Sequence, residues 1–364
     1  MKPVGIGIIG CGNISAAYLK AARSFPVLDI RALADRRHEA AEARGAEFGI
    51  PAVSVEALLA DPAIEIVLNL TIPAAHVEVG LQILAAGKHA YSEKPLGIDF
   101  RDATRLTEDA ARRGLRLGSA PDTFLGGAHQ AARAFVDEGH LGQPVGGTAF
   151  FMCPGHERWH PDPAFYYKVG GGPMLDMGPY YITDLVNLLG PVARVAGLSP
   201  EPRRQRTITS QPRNGETIDV EVATHVAGAL QFRSGAVVTI AMSFDVSGHR
   251  HLPLEIYGTE GSLVVPDPNH FGGEVSFLRK GGEWAPVPVE RPYADGNYRS
   301  LGLADMAAAI RQERAHRASG DLALHVLEVM EAFGRSNETG RFVDIETRPE
   351  RPAPLEADAP LDRL

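Results

Sequence analysis

The first 120 residues alternate short apolar runs with segments of helical period, and the first junction between them is a glycine turn, Gly10-Cys11-Gly12-Asn13-Ile14-Ser15. Val4–Ile9 is a continuous apolar run that stops at glycine, and Ile14–Phe25 carries apolar and small residues at helical spacing. Leu28–Ala34 is a second run, closed by Asp35. Arg37–Phe48 reads as a helix stopped by Gly49 and Pro51, and Ser54 as the cap of a short helix through Leu59. Glu65–Leu70, Lys88–Ser92 and Leu115–Ser119 are strand-like, with helical segments at Ala74–Ala86 and Asp99–Arg113. Strand and helix in strict alternation predict a parallel sheet with helices on both faces.

A glycine turn between a first strand and a first helix suits a dinucleotide. Gly10 permits the tight turn, and Gly12 lets the backbone approach a pyrophosphate held at the helix N-terminus. Ser15 stands where a third glycine is usual, and is small enough for close packing. Asp35 closes the second strand about 20 positions on, where a carboxylate accepts from the ribose hydroxyls. That favours NAD. Arg36 and Arg37 keep NADP as the alternative, because an arginine there can pair with a 2′-phosphate.

Near Ala120-Pro121-Asp122 the pattern changes. A helix at Ala128–Glu138 leads into strand-like text at Val145–Phe151, Ile218–Thr224, Ala236–Ser243 and Leu254–Tyr257, with a helix at Met174–Leu189 between them. Leu301–Arg317 and Leu322–Ser336 are helical, and Pro200–Asn214 reads as an exposed, mobile excursion. The expected class is α/β, an N-terminal Rossmann doubly wound parallel sheet plus a C-terminal α+β domain with a large, mainly antiparallel sheet. The expected domains are 1–121 for the dinucleotide, 122–345 for substrate and oligomerisation, and 346–364 as a weakly packed Pro-rich tail. Composition sets the remaining bounds. At net charge −9, with Lys and Arg scattered, the chain lacks the basic face that nucleic acid or an anionic membrane requires. Two cysteines, no signal-peptide pattern and no apolar run of about 18 residues lead to the expectation of a cytoplasmic protein.

Four signatures stand in order: the glycine turn, Thr71-Ile72-Pro73 with His76, Glu93-Lys94-Pro95, and Gly170-Gly171-Gly172 followed by Asp176-Met177-Gly178-Pro179-Tyr180. Together they resemble the Gfo/Idh/MocA family (glucose–fructose oxidoreductase, inositol dehydrogenase and a rhizopine-catabolism protein). The resemblance implies an oxidoreductase transferring a hydride between NAD(P) and a hydroxyl carbon of a sugar, polyol or derivative, without a metal and as a homodimer or homotetramer. It implies cofactor contacts at Gly10, Gly12, Asn13, Ile14, Asp35, Arg36, Thr71, His76, Glu93 and Lys94, and catalysis by Lys94, Asp176 and Tyr180. Relatives that use NAD transiently as glycosidases or lyases, and a non-catalytic nucleotide-responsive regulator, are the alternatives.

The residues themselves agree with that chemistry. Lys94 follows a strand at the carboxyl edge of the sheet, where ligands of open α/β folds bind. Asp176 and Tyr180, four apart on one helix, share a face. Most family members carry histidine where this sequence has Tyr180, and the glucose–fructose oxidoreductase branch carries tyrosine. A tyrosine needs a neighbouring cation to give up its proton at neutral pH, and Lys94 is the candidate, which leaves the base open between Tyr180 and Lys94. His156, Trp159 and His160, ahead of Phe165-Tyr166-Tyr167, make an aromatic, polar-edged stretch suited to a sugar, with a structural loop or a metal pair as other readings. Asp122 and Phe124, at the domain junction, are expected to face the cleft.

Overall fold

The computed structural model describes residues 2–357. Its first sheet uses β1 (Val4–Ile9), β2 (Leu28–Ala34), β3 (Ile66–Asn69), β4 (His89–Ser92) and β5 (Leu117–Ser119) in the order β2-β1-β3-β4-β5, all parallel. Between the strands run α1 (Asn13–Ala22), α2 (His38–Phe48), α3 (Val55–Ala60), α4 (His76–Ala85) and α5 (Phe100–Arg113). Every residue of β1 and β3 is buried, because helices cover both faces of the sheet. That is why these strands read as unbroken apolar runs rather than alternations. α5 is capped by Asp99, whose side chain accepts the Asp102 N–H, and ends at left-handed Gly114.

α6 (Gly127–Asp137) leads into the second sheet. In chain order the remaining elements are β6 (Pro144–Met152), α7 (Pro173–Leu189), β7 (Val192–Leu198), β8 (Gln205–Thr207), β9 (Thr217–Asp219), β10 (His225–Phe232), β11 (Val237–Ser243), β12 (Leu254–Gly258), β13 (Gly261–Val265), β14 (Val275–Arg279), β15 (Trp284–Val287), α8 (Leu301–Arg311), α9 (Gly320–Thr339) and β16 (Val343–Asp344). The sheet order is β15-β14-β13-β12-β6-β11-β10-β7-β16, antiparallel except for the β6–β11 pair. α7 and α9 lie on it, and α7 is buried along nearly its whole length. Val238, Ile240 and Met242 of β11 are buried, whereas Val237 and Thr239 are exposed, which is the alternation of a sheet covered on one face.

Four expectations are corrected. The Ile218–Thr224 run is not a strand of the large sheet; it gives β9, which pairs only with β8 in a two-stranded ribbon. That ribbon lies in and beside the 200–214 excursion and is anchored rather than loose, with Ile208 fully buried and Arg206 7% exposed. The helix expected over Leu301–Arg317 ends at Arg311. The buried Asp305 carboxylate collects Arg314, Arg317 and the Arg317 amide, so the chain wraps back around its own helix. Finally, the Pro-rich segment is tied down through Leu355. Arg351 donates to the Asn187 and Leu188 carbonyls, the Leu355 amide donates to Gln130, and Leu355 is 3% exposed. The last seven positions of that tail lie outside the described residues. α8 also returns to the first sheet, where Arg311 pairs with Glu65 and Arg116 donates to the Ala309 and Arg314 carbonyls.

Candidate functional site

At the glycine turn the two glycines serve different ends. Gly10 has φ +105, and a Cβ there would lie 2.5 Å from the Leu70 carbonyl, so the turn itself demands glycine. A Cβ on Gly12 would meet no protein atom within 4 Å, so the fold does not require glycine there and the space is open to a ligand. Gly12 starts α1 with no side-chain cap, leaving first-turn amides at exposed Gly12 and Asn13 and half-buried Ile14 without a protein cap. Asp35 accepts the Cys11 amide at 2.8 Å and the Arg37 amide at 2.9 Å, which fixes its carboxylate beside the turn. Exposed Arg36 follows it. These features fit a dinucleotide: a bare helix N-terminus for the pyrophosphate and a fixed carboxylate for the ribose.

Thr71, His76 and Glu93 form a brace. The Thr71 hydroxyl donates to Asn69, and His76, 1% exposed, sets its two ring nitrogens against the Thr71 carbonyl at 2.9 Å and the Pro95 carbonyl at 2.7 Å. Burial lowers the proton affinity of that imidazole. Glu93 accepts the Tyr18 hydroxyl and the Lys94 amide, each at 2.8 Å. His76 and Glu93, both expected at the cofactor, are buried and hydrogen-bonded within the loop that carries Lys94.

Lys94 reaches across to the second domain. Its ammonium donates to the Asp176 carbonyl and to Asp176 Oδ1, both at 2.8 Å, and lies 5.2 Å from the centre of the Tyr180 ring. The backbone makes this reach possible. Gly172 has φ +89, which lets the chain turn sharply into α7, and Pro173 occupies the first helical position. Asp176 thus sits in the first turn and Tyr180 one turn later on the same face. Burial would raise the Asp176 carboxyl, but Lys94 and His156 outweigh it and hold the group at about 2. Burial likewise works against the Lys94 charge, and Asp176 with Tyr180 outweighs it, keeping the ammonium above its usual range. Lys94 is therefore a fixed cation at neutral pH.

His156 completes the group. Its Nε2 lies 3.2 Å from Asp176 Oδ2, and its Nδ1 accepts the Trp159 indole N–H at 3.1 Å, so the network assigns the neutral ring's proton to Nε2. Trp159, 61% exposed, offers a ring face to solvent beside a cavity of about 520 Å3 lined also by Phe151, Cys153, His156 and Arg158. His160 lies edge-on to Phe165 and Tyr166, and its Nδ1 accepts the Asp162 amide. Beneath the loop, Glu157 pairs with Tyr167 and Arg206, and Arg206 continues to Asp245 at 2.7 Å.

Two expected substrate contacts are elsewhere. Asp122 is 1% exposed and accepts the Ser300 and Gly302 amides at 3.1 and 2.9 Å; burial pushes its carboxyl up to about 6. Phe124 is 1% exposed within the core. Both terminate the crossover between the domains, where a polar group must find partners and an aromatic ring must be covered. Lys94 lies over the Tyr180 ring, and a second cation meets the Tyr180 oxygen itself. Arg299, from the loop before α8, donates to it at 3.2 Å. Nothing near Arg299 in the sequence marks it, since its partner lies more than a hundred positions away.

Residues 4–120 match a family model described as an oxidoreductase family with an NAD-binding Rossmann fold, and residues 129–264 match the GFO/IDH/MocA C-terminal domain. A 1,5-anhydro-D-fructose reductase of Ensifer adhaerens is 26% identical over 94% of this chain and 98% of its own. A dTDP-3,4-didehydro-2,6-dideoxy-alpha-D-glucose 3-reductase of Streptomyces violaceoruber is 28% identical over 95% and 98%. Among solved structures, a levoglucosan dehydrogenase complexed with NADH and L-sorbose shares the fold with a TM-score of 0.82, at 20% identity over 95% of this chain and all of its own.

Proposed function

Since the chain belongs to the Gfo/Idh/MocA family of NAD-binding oxidoreductases, we propose that it interconverts a hydroxyl and a carbonyl on a sugar, polyol or sugar derivative. The observation that carries this reading is the Lys94–Asp176 contact, which joins the edge of the NAD-binding sheet to the helix bearing Tyr180. NAD, when bound, supplies the two-electron partner of the reacting carbon. The protein's own groups manage the proton and the position. Lys94 donates to the reacting oxygen and stabilises the negative charge that grows on it. Asp176, held as a carboxylate by Lys94 and His156, accepts from a neighbouring hydroxyl. Tyr180 exchanges the proton with the reacting oxygen. Trp159 offers a flat apolar face for a sugar ring, with His160 beside it.

A panel of aldoses, anhydrosugars and inositols, assayed by NADH absorbance with NAD and with NADP, tests the reading. A turning-over substrate should yield NADH mole for mole. Product formed without net NADH would instead favour a redox-assisted hydrolase or lyase. NAD should bind tighter than NADP, and Asp35→Ala should narrow the difference, because Asp35 repels a 2′-phosphate. NADPH binding as tightly as NADH in the unaltered protein would contradict that assignment.

The open face of the second sheet, with Val237 and Thr239 of β11 exposed and their neighbour Thr148 of β6 half-buried, supports assembly as a homodimer or homotetramer. Light scattering at micromolar concentration should give a multiple of 39.0 kDa; a monomeric mass would rule the assembly out. No described helix is long and apolar enough to cross a membrane, and Cys11 and Cys153 are free thiols, which suits the cytoplasm.

A further inference from the structure

We propose that Arg299 is the positioning residue that holds the Tyr180 oxygen ready to take and return the substrate's proton, while Lys94, over the Tyr180 ring and paired with Asp176, serves the reacting oxygen. The proposal rests on the acid–base reading of Tyr180 above. Geometry carries it. The Arg299 guanidinium donates to the Tyr180 oxygen at 3.2 Å and to Asn269 Oδ1 at 2.9 Å, while the Lys94 ammonium is engaged with two Asp176 oxygens. A cation that donates to a phenol oxygen stabilises that oxygen once its proton has left, and it leaves the hydroxyl proton free to face the substrate.

The molecule fixes this guanidinium from both sides. On one side stands Ser300, fully buried with φ +139, a conformation a serine adopts only under strain. Its amide donates to Asp122 and its hydroxyl to the Tyr18 carbonyl at 3.1 Å. The Tyr18 hydroxyl in turn donates to Glu93, so one residue of α1 holds both the neighbour of Lys94 and the neighbour of Arg299. On the other side, the loop presenting Asn269 is pinned to α7. Tyr181 and the Asn269 amide both donate to Asp267, and buried His129 bridges Asp184 at 2.8 Å and the His270 carbonyl at 2.9 Å. Strained backbone and buried polar networks at such a point mark a side chain whose place matters.

The charged and titratable groups bearing on the Tyr180 oxygen come from several elements. Lys94 lies beyond β4, Asp176 is on α7 itself, Tyr166 comes from the loop before α7, and Arg299 from the loop before α8. Glu93 and Tyr18 act through Arg299. Arg299 is the cation of this set that hydrogen-bonds the oxygen, so its loss should change proton transfer more than binding.

The test compares pH–rate profiles of alcohol oxidation for the native protein, Arg299→Gln, Arg299→Lys and Tyr180→Phe. It adds ultraviolet phenolate titration of each protein without substrate or NAD. Arg299→Gln should move the rising limb to higher pH and lower kcat near neutrality by about 10-fold or more, with KM and NAD affinity within about 3-fold. Arg299→Lys should restore part of the shift. In the native protein one phenolate transition absent from Tyr180→Phe should appear, and it should move upward in Arg299→Gln. If Tyr180→Phe loses the limb but Arg299→Gln leaves its midpoint in place, the inference about Arg299 is overturned and the reading of Tyr180 stands. If Tyr180→Phe keeps the limb, that reading fails instead. Should Arg299→Gln fold poorly, the folded Arg299→Lys protein decides by the same midpoint.

Discussion

Lys94→Met should cost between about 10² and 10⁴ in kcat, the range associated with removing a positioned group from acid–base work. The ammonium has two tasks that methionine cannot perform. It donates to the reacting oxygen, and it holds Asp176 through the 2.8 Å contact at Oδ1. NAD affinity should change little, since the glycine turn and Asp35 lie apart from that contact. A variant retaining more than about a third of native turnover would remove Lys94 from the mechanism, being far above that range. A second readout concerns acid stability. The Asp176 carboxyl sits at about 2 against an ordinary value of 3.8, so its stabilising contribution is complete above about pH 4 and is lost as the pH falls towards 2. Without Lys94 the carboxyl rises. The stability gap between native and Lys94→Met proteins should thus be full at neutral pH and shrink below about pH 4, which thermal unfolding across pH would follow.

Arg206→Met should destabilise the protein by about 3–5 kcal/mol, because it strands Glu157 and Asp245 without their buried cation. The Arg206 side chain is 5% exposed and also donates to the Phe244 carbonyl at 2.9 Å. The reason for the size is desolvation: a carboxylate taken out of water and then left alone costs far more than the pair gains. Urea unfolding midpoints measure it. Arg213, whose partners Asp162 and Glu216 are exposed, is the control, and Arg213→Gln should move the midpoint little. Arg206→Met should also lower turnover, since Glu157 follows His156 and the Glu157 carbonyl accepts the Thr209 and Ser210 amides. Equal midpoints for the two variants would show that the buried network stabilises nothing.

Which parts of this protein could be read from the chain depends on how far apart the interacting residues lie. The alternating strands and helices of the first sheet were legible because each signal sits within ten or fifteen residues: buried runs, caps such as Asp99, and stops such as Gly114. The glycine turn and Asp35 were legible because each ends its own short apolar run, and Asp176 and Tyr180 because they share one helical face. Strands β7, β10, β13, β14 and β15 went unread, since a strand covered on one face needs its neighbours before its pattern has meaning. The charge partners were beyond reach altogether. His156 against Asp176, Arg206 against Glu157 and Arg299 against Tyr180 are contacts between side chains of separate elements, and no spacing encodes them. The sequence by itself determined the βα register, the open glycine turn and the shared helical face of Asp176 and Tyr180. The tertiary structure alone decided which of them touch, burying Asp122 in the crossover, tying His76 and Glu93 into the loop of Lys94 and setting Arg299 against the Tyr180 oxygen, because charge and burial act through space and not along the chain.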